Sequence, residues 1–196
     1  MRKLVWYTDT MKQIVVAVTG LNGSGKSTVA EYLKKVHGFH HISFREYMSD
    51  ILSKQNLPLD RKHMRELANK LRREHGAEYV LNQMLLEASA EPKVIIESIR
   101  TTDEVEFLKT IGAYLAAVTA PSEVRYERIS QRGTSTDSIS YEEFVDDEKK
   151  ESEGIDGSVQ NLPKVLALAD YLIDNQELEK TQLHLDMIVH EITGNN

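Results

Sequence analysis

Four short stretches of the chain are apolar almost throughout and rich in β-branched residues. They are residues 14–18, the run around Val94-Ile95-Ile96, residues 113–119 and residues 171–173. Runs of this kind suit strands buried on both faces of a parallel sheet. A fifth, more mixed stretch at residues 40–44 reads as a short strand. Between them apolar residues recur at three- and four-residue spacing, the sign of helices with one buried face. Val29, Leu33 and Val36 form one such face, as do Met64, Leu67, Ala68 and Leu71, and Val105, Leu108 and Ile111. Further helices are expected over residues 45–54 and 78–90, from Pro121 onward, and over 141–153, 159–169 (bent at Pro163) and 178–192. Asp60 reads as an N-cap, Thr101-Thr102-Asp103 as a capping segment and Gly76 as a stop. No repeat or low-complexity tract interrupts this alternation. It predicts a three-layer α/β/α fold with a parallel five-stranded sheet in one domain spanning residues 1–196.

Between the first strand and the first helix lies Gly20-Leu21-Asn22-Gly23-Ser24-Gly25-Lys26-Ser27-Thr28. It matches the phosphate-binding pattern G-x-x-x-x-G-K-[ST] and has the strand and helix that the pattern requires on either side. Its glycines let successive backbone N–H groups turn inward toward phosphate oxygens, and the following helix adds its positive dipole end. Gly20, Asn22, Gly23, Ser24, Gly25, Lys26, Ser27 and Thr28 are therefore candidate nucleotide-binding residues. Lys26 is expected to reach the β- and γ-phosphates, and the Ser27 hydroxyl to bind Mg²⁺.

Composition narrows the picture. Hydrophobic residues make up 40% and charged residues 28%, as in a globular protein, and no stretch approaches the roughly 18 apolar residues of a membrane span. The first ten residues lack an apolar segment of signal-peptide length, so a cytoplasmic protein is expected; Met11 is an alternative start. The absence of cysteine excludes disulfides, thiolate catalysis and cysteine-bound zinc. A net charge of −7 argues against general nucleic-acid binding. Charge is unevenly spread, however. Residues 43–75 hold eight Lys/Arg against five Asp/Glu, whereas residues 137–156 hold nine acids against two lysines. The basic stretch could hold a small anionic acceptor.

Arg61, Arg65 and Arg72 fall within about 40° of one another on a helical projection, and Arg125, Arg128 and Arg132 within about 60°. The first row is a candidate anion grip. The second leads through residues 133–137 to the acidic helix and reads as a lid closing over phosphates. Glu97 ends a buried strand, where doubly wound sheets bind ligands, and so is a candidate Mg²⁺ ligand with Arg100 at the rim. His37, His40, His41, His63, His75, His184 and His190 show no metal-ligand spacing and read as structural.

The phosphate loop, Ile42-Ser43-Phe44-Arg45-Glu46-Tyr47-Met48, the Glu97–Arg100 strand end, the arginine helix and Ala169-Asp170-Tyr171-Leu172-Ile173-Asp174-Asn175 occur in one order. That order resembles the nucleotide-kinase branch of P-loop proteins, which holds nucleoside monophosphate kinases, dephospho-CoA kinases, phage-type deoxynucleoside monophosphate kinases and archaeal relatives. The resemblance implies transfer of the γ-phosphoryl of ATP, with Mg²⁺, to a small phosphorylated nucleotide or nucleotide-like acceptor. It implies an acceptor segment at about residues 45–90, a lid at about 125–157, and catalytic roles for Lys26, Glu97, Arg128 and Arg132. Ser43, Arg45, Glu46, Arg65, Arg72 and Arg100 would meet the acceptor, and Asn175 would pack against adenine. Phe44 and Arg45 stand where adenylate kinases carry Thr and Gly. Glu97 and Ser98 stand where relatives carry Asp and Gly, and the Asp-Ala-Asp usual in bacterial dephospho-CoA kinases is absent. Dephospho-CoA stays an alternative acceptor, and an ATP-binding regulator or slow ATPase an alternative function. A GTPase switch is disfavoured, because Asn69-Lys70-Leu71-Arg72 lacks the aspartate of the guanine-reading motif.

Overall fold

The computed structural model describes residues 13–76, 78–132, 140–152 and 161–194, without the side chains of Arg61, Lys62, Arg65, Arg132, Asp147, Lys150, Glu151 and Ser152. In chain order the elements are β1 (Ile14–Thr19), α1 (Lys26–His37), β2 (His40–Ile42), α2 (Phe44–Lys54), α3 (Arg61–His75), α4 (Tyr79–Glu87) and β3 (Lys93–Glu97). They continue with α5 (Thr102–Thr110), β4 (Tyr114–Thr119), α6 (Ser122–Arg132), α7 (Tyr141–Ser152), α8 (Leu162–Ala167), β5 (Tyr171–Asp174) and α9 (Leu178–Thr193). The five strands form one parallel sheet in the order β2-β3-β1-β4-β5.

The central strand explains why its sequence is apolar without alternation. Val15 and Ala17 enter a core with Met48, Leu52, Met84, Leu85, Val105 and Leu108 from α2, α4 and α5. Val16 and Val18 enter a second core, on the other face, with Val29 and Leu33 of α1 and Leu185 and Ile188 of α9. All four β1 residues are almost fully buried. Side chains on successive strand positions point to opposite faces, so a strand covered on both sides must be apolar at every position.

Caps set the helix boundaries. The Asp60 carboxylate accepts from His63 N at 2.9 Å at the start of α3, and Gly76 ends that helix with a positive φ. Thr101 and Glu104 form a reciprocal capping box at α5. Among the boundaries that differ from the sequence expectation, two have a clear local cause. The second strand stops at Ile42, because Ser43 leaves the sheet to cap α2, its hydroxyl accepting from Glu46 N at 3.3 Å. Helix α8 begins only at Leu162, capped by Asn161, so Pro163 sits in its first turn and bends nothing.

The β3 strand ends at Glu97 because Ser98 turns the chain with φ +77°. The amides of Ser98 and Ile99 then both donate to Val18 O, at 3.0 and 3.4 Å. The chain crosses from β3 to β4 over β1, which lies between them. The crevice beyond the carboxyl ends of these strands is where such sheets take ligands.

Candidate functional site

The phosphate loop leaves β1 at this crevice. Gly25, the N-cap of α1, has φ +93° and gives no side-chain cap, and no acid lies in the first helical turn. The Thr28 amide donates to Gly25 O at 3.0 Å, and no side chain competes with an anion at the start of α1. A Cβ on Gly25 would strike the Asn175 amide, and one on Gly23 (φ +77°) the Arg125 carbonyl, so the loop is closely backed from behind. Ser24 Oγ is buried without a hydrogen-bond partner. Lys26 Nζ folds back over the loop, donating to Gly20 O at 2.8 Å and Leu21 O at 2.9 Å. An orphan hydroxyl, an uncapped helix start and an ammonium resting on carbonyls fit a phosphate chain.

Glu97 stands beside this loop because β3 pairs with β1, Val18 opposite Glu97. Ser27 Oγ lies 3.5 Å from Glu97 Oε2, and His41 Nε2 lies 3.6 Å from Glu97 Oε1. Burial works to raise the Glu97 pKa, but His41, the Lys26 ammonium and the Ser27 hydroxyl outweigh it and hold the carboxyl below its ordinary value. The group is thereby kept ionised, as a cation ligand must be. Among the described residues no group of three or more His, Cys, Asp or Glu could hold a metal. The donor set of one hydroxyl and one carboxylate suits Mg²⁺, which keeps waters and leans on substrate phosphates.

Three side chains fasten the loop to the rest of the sheet. Asn175, 4% exposed, donates from Nδ2 to Ser24 O at 2.9 Å and accepts from Thr181 Oγ1 at 3.1 Å. Arg128 donates to Asn175 O at 2.7 Å and to Ser24 O at 3.4 Å. Arg125, also 4% exposed, donates to Ala120 O at 2.9 Å and Asn22 O at 3.3 Å. It also forms a two-pronged ion pair with Glu148 of α7, NH2 to Oε2 at 3.1 Å. The Phe144 ring lies 5.3 Å from the same guanidinium. The expectation that Arg125 shares a ligand-facing stripe with Arg128 is thus corrected: α7 covers it and supplies its counter-charge.

Behind the loop opens a cleft of about 410 Å³, lined by Gly25, Thr28, Arg128, Gln131, Asn175, Gln176 and Leu178. It is flanked by the helix start on one side and the β5 turn on the other. Gln131, Gln176 and Leu178 were not singled out from sequence.

The acceptor candidates are more scattered. Arg45 and Glu46 are exposed on the first turn of α2, and Ser43 is occupied as its cap. Arg72 is turned inward, its NH2 3.1 Å from Glu104 Oε1, with side chains 9% and 4% exposed. Glu104 Oε2 in turn accepts from Arg100 N at 2.8 Å and Thr101 N at 3.0 Å. Arg72 therefore pins α3 to the start of α5. The Arg100 side chain is half-buried at the rim. Arg65 and Arg132 have side chains outside the described residues, and so does the expected joint at 133–137. No described helix is long and apolar enough to cross a membrane.

This sheet order, with a glycine loop, its lysine and an acid at the ends of neighbouring strands, defines a P-loop α/β protein of the kinase-like type. The AAA domain family AAA_18 matches residues 16–156. The UPF0200 protein of Thermococcus gammatolerans is 32% identical over 184 residues, which cover 85% of this chain and 90% of that protein. The chain belongs to the UPF0200 family and carries the AAA_18 domain. Among solved structures, TT1252 from Thermus thermophilus superposes with a TM-score of 0.65 at 21% identity, covering 91% of this chain and 97% of that one. Shikimate kinase from Acinetobacter baumannii, in complex with shikimate, gives 0.57 at 16% identity over 95% and 96%. At such identities the likeness is one of fold, and a P-loop kinase fold implies nucleotide binding.

Proposed function

We propose that the protein transfers the γ-phosphoryl group of ATP, with Mg²⁺, to a small phosphorylated nucleotide or nucleotide-like acceptor. The observation that carries this reading is the convergence of Lys26, Ser27 and Glu97 at the open start of α1. The backbone N–H groups of residues 22–28 would cradle the β-phosphate, Ser24 Oγ gaining the partner it lacks. Lys26 would exchange the Gly20 and Leu21 carbonyls for phosphate oxygens. Ser27 Oγ and Glu97 Oε2 would hold Mg²⁺, which when bound neutralises charge on the β- and γ-oxygens. Chemistry of this kind is mainly positioning and electrostatics.

Arg128 takes a role different from the one its helix spacing implied. With its guanidinium on the Ser24 and Asn175 carbonyls and against the cleft, it serves nucleotide binding rather than the transferred group. Arg132 stays the proposed lid cation. Arg45, Arg65 and Arg100, with Ser43 and Glu46 at the α2 start, would form the acceptor side, and Arg72 would hold α3 in place for it. A phosphate acceptor is already ionised and needs no strong base; a hydroxyl acceptor would call on Glu46 or Glu97.

One observation favours the second reading, an ATP-binding regulator or slow ATPase: the Glu104 pair removes Arg72 from the cations available to an acceptor. A transfer assay separates the two. Mg·ATP is supplied with AMP, CMP, UMP, GMP, the deoxynucleotides and dephospho-CoA, and with shikimate and gluconate as hydroxyl acceptors. A phosphorylated product from one nucleotide or dephospho-CoA supports the first reading. Nucleotide binding with no product supports the second.

A further inference from the structure

The His41 ring is enclosed, with its side chain 15% exposed, and Nε2 is buried without a hydrogen-bond partner. A buried polar atom left unsatisfied costs free energy, so its position calls for an explanation. Sheet register supplies the geometry. His41 pairs with Ile95 across β2 and β3, and Ile95 packs on the α1 side of the sheet. Two residues along the same strand, Glu97 points to that side as well. The imidazole therefore meets one oxygen of the carboxylate, Oε1 at 3.6 Å, while the other, Oε2, faces Ser27. Glu31 of α1, which His41 also reaches, is paired with Lys35 at 2.9 Å.

We propose that His41 is a positioning residue for the metal site: by holding Oε1 of Glu97 it presents Oε2 to the cation shared with Ser27. At 3.6 Å the contact is just beyond hydrogen-bond range, and a shift of about half an ångström brings Nε2–H within it. With Oε2 and Ser27 Oγ holding a cation, the carboxylate would keep one orientation, and His41 Nε2 would gain in Oε1 the partner it lacks. Glu carries one more rotatable bond before its carboxylate than Asp does. A residue that fixes its orientation recovers what that bond loses. This inference rests on the reading that Ser27 and Glu97 hold the metal.

The test measures Mn²⁺ binding by electron paramagnetic resonance on the full chain with a non-hydrolysable ATP analogue, so that no turnover is required. The expected result is about tenfold weaker Mn²⁺ binding in His41→Ala, the usual size of an effect exerted through a metal ligand's partner. His41→Gln, whose amide N–H can reach the same oxygen, restores most of the affinity. Affinity for the analogue without metal stays unchanged in both. Unchanged Mn²⁺ binding in His41→Ala overturns the proposal. So does equal loss in both variants together with a lowered melting temperature, which marks a packing role. Absence of Mn²⁺ binding in the wild type overturns both this proposal and the metal site beneath it. A wild type that binds Mn²⁺ in a His41-dependent way but phosphorylates no acceptor upholds the proposal and removes only the kinase reading.

Discussion

The side-chain amide of Asn175 donates to the Ser24 carbonyl at 2.9 Å, joining the end of β5 to the phosphate loop across 151 residues of chain. The bond is buried, and Arg128 offers Ser24 O only a longer contact at 3.4 Å. Asn175→Ala should therefore cost about 1–3 kcal/mol of stability and weaken ATP binding, because the loop loses its backing. Asn175→Asp should be worse, since it sets a carboxylate against the Ser24 carbonyl. Denaturant unfolding and calorimetric ATP titration check both; an Asp variant as stable as wild type would contradict the assignment.

Arg125 and Glu148 make the corresponding link to α7. Removing one partner of a buried ion pair strands the other, typically at a cost of about 3–5 kcal/mol. Arg125→Ala also frees the Ala120 and Asn22 carbonyls and the Phe144 ring face. The expected loss lies in that range, a fall of roughly 10 °C in melting temperature for a chain of this size. Glu148→Gln should fall less, because its side chain is 20% exposed and water can reach it. Scanning calorimetry measures both.

Arg128→Ala distinguishes base-side clamping from a role in the transferring group. The geometry predicts ATP affinity lower by about tenfold, or 1.4 kcal/mol, with kcat changed less than KM. Steady-state kinetics at saturating acceptor decide it. A kcat that collapses with KM for ATP unchanged would return Arg128 to the lid role its spacing implied.

The parts of this site legible in sequence are those written within a few residues. The phosphate loop is complete in nine positions, and strand–helix alternation followed from apolar periodicity, so sheet class and the places of Lys26, Ser27 and Glu97 were readable. What was not readable depends on which segments meet. Helical spacing put Arg125, Arg128 and Arg132 on one face but could not say that Glu148, from another helix, would cover Arg125. The Arg72 row had the same limit, although Thr101-x-x-Glu104 carries the capping-box pattern that marks Glu104 as a local anchor. His41 reads as an ordinary strand histidine until the β2–β3 register is known.

Ser98 gives a test of backbone strain next to the site. Its φ of +77° costs a residue with a Cβ about 1–2 kcal/mol, while glycine's extra unfolded-state freedom returns about 0.5–1. Ser98→Gly should thus be more stable by about 0.5–1 kcal/mol, with Ser98→Ala close to wild type. Equilibrium unfolding in urea resolves a difference of that size; a destabilised glycine variant would mean that the serine hydroxyl holds this turn.

The most direct measurement follows radiolabelled γ-phosphate from ATP into product across the acceptor panel, for wild type and Lys26→Ala side by side. The wild type should label one acceptor at roughly 1–100 turnovers per second. Lys26→Ala should transfer no label while remaining folded, with a cooperative unfolding transition lowered at most by the loss of its bonds to Gly20 O and Leu21 O. Equal label transfer by the variant, or wild-type protein that binds ATP yet labels nothing, would contradict the proposed function.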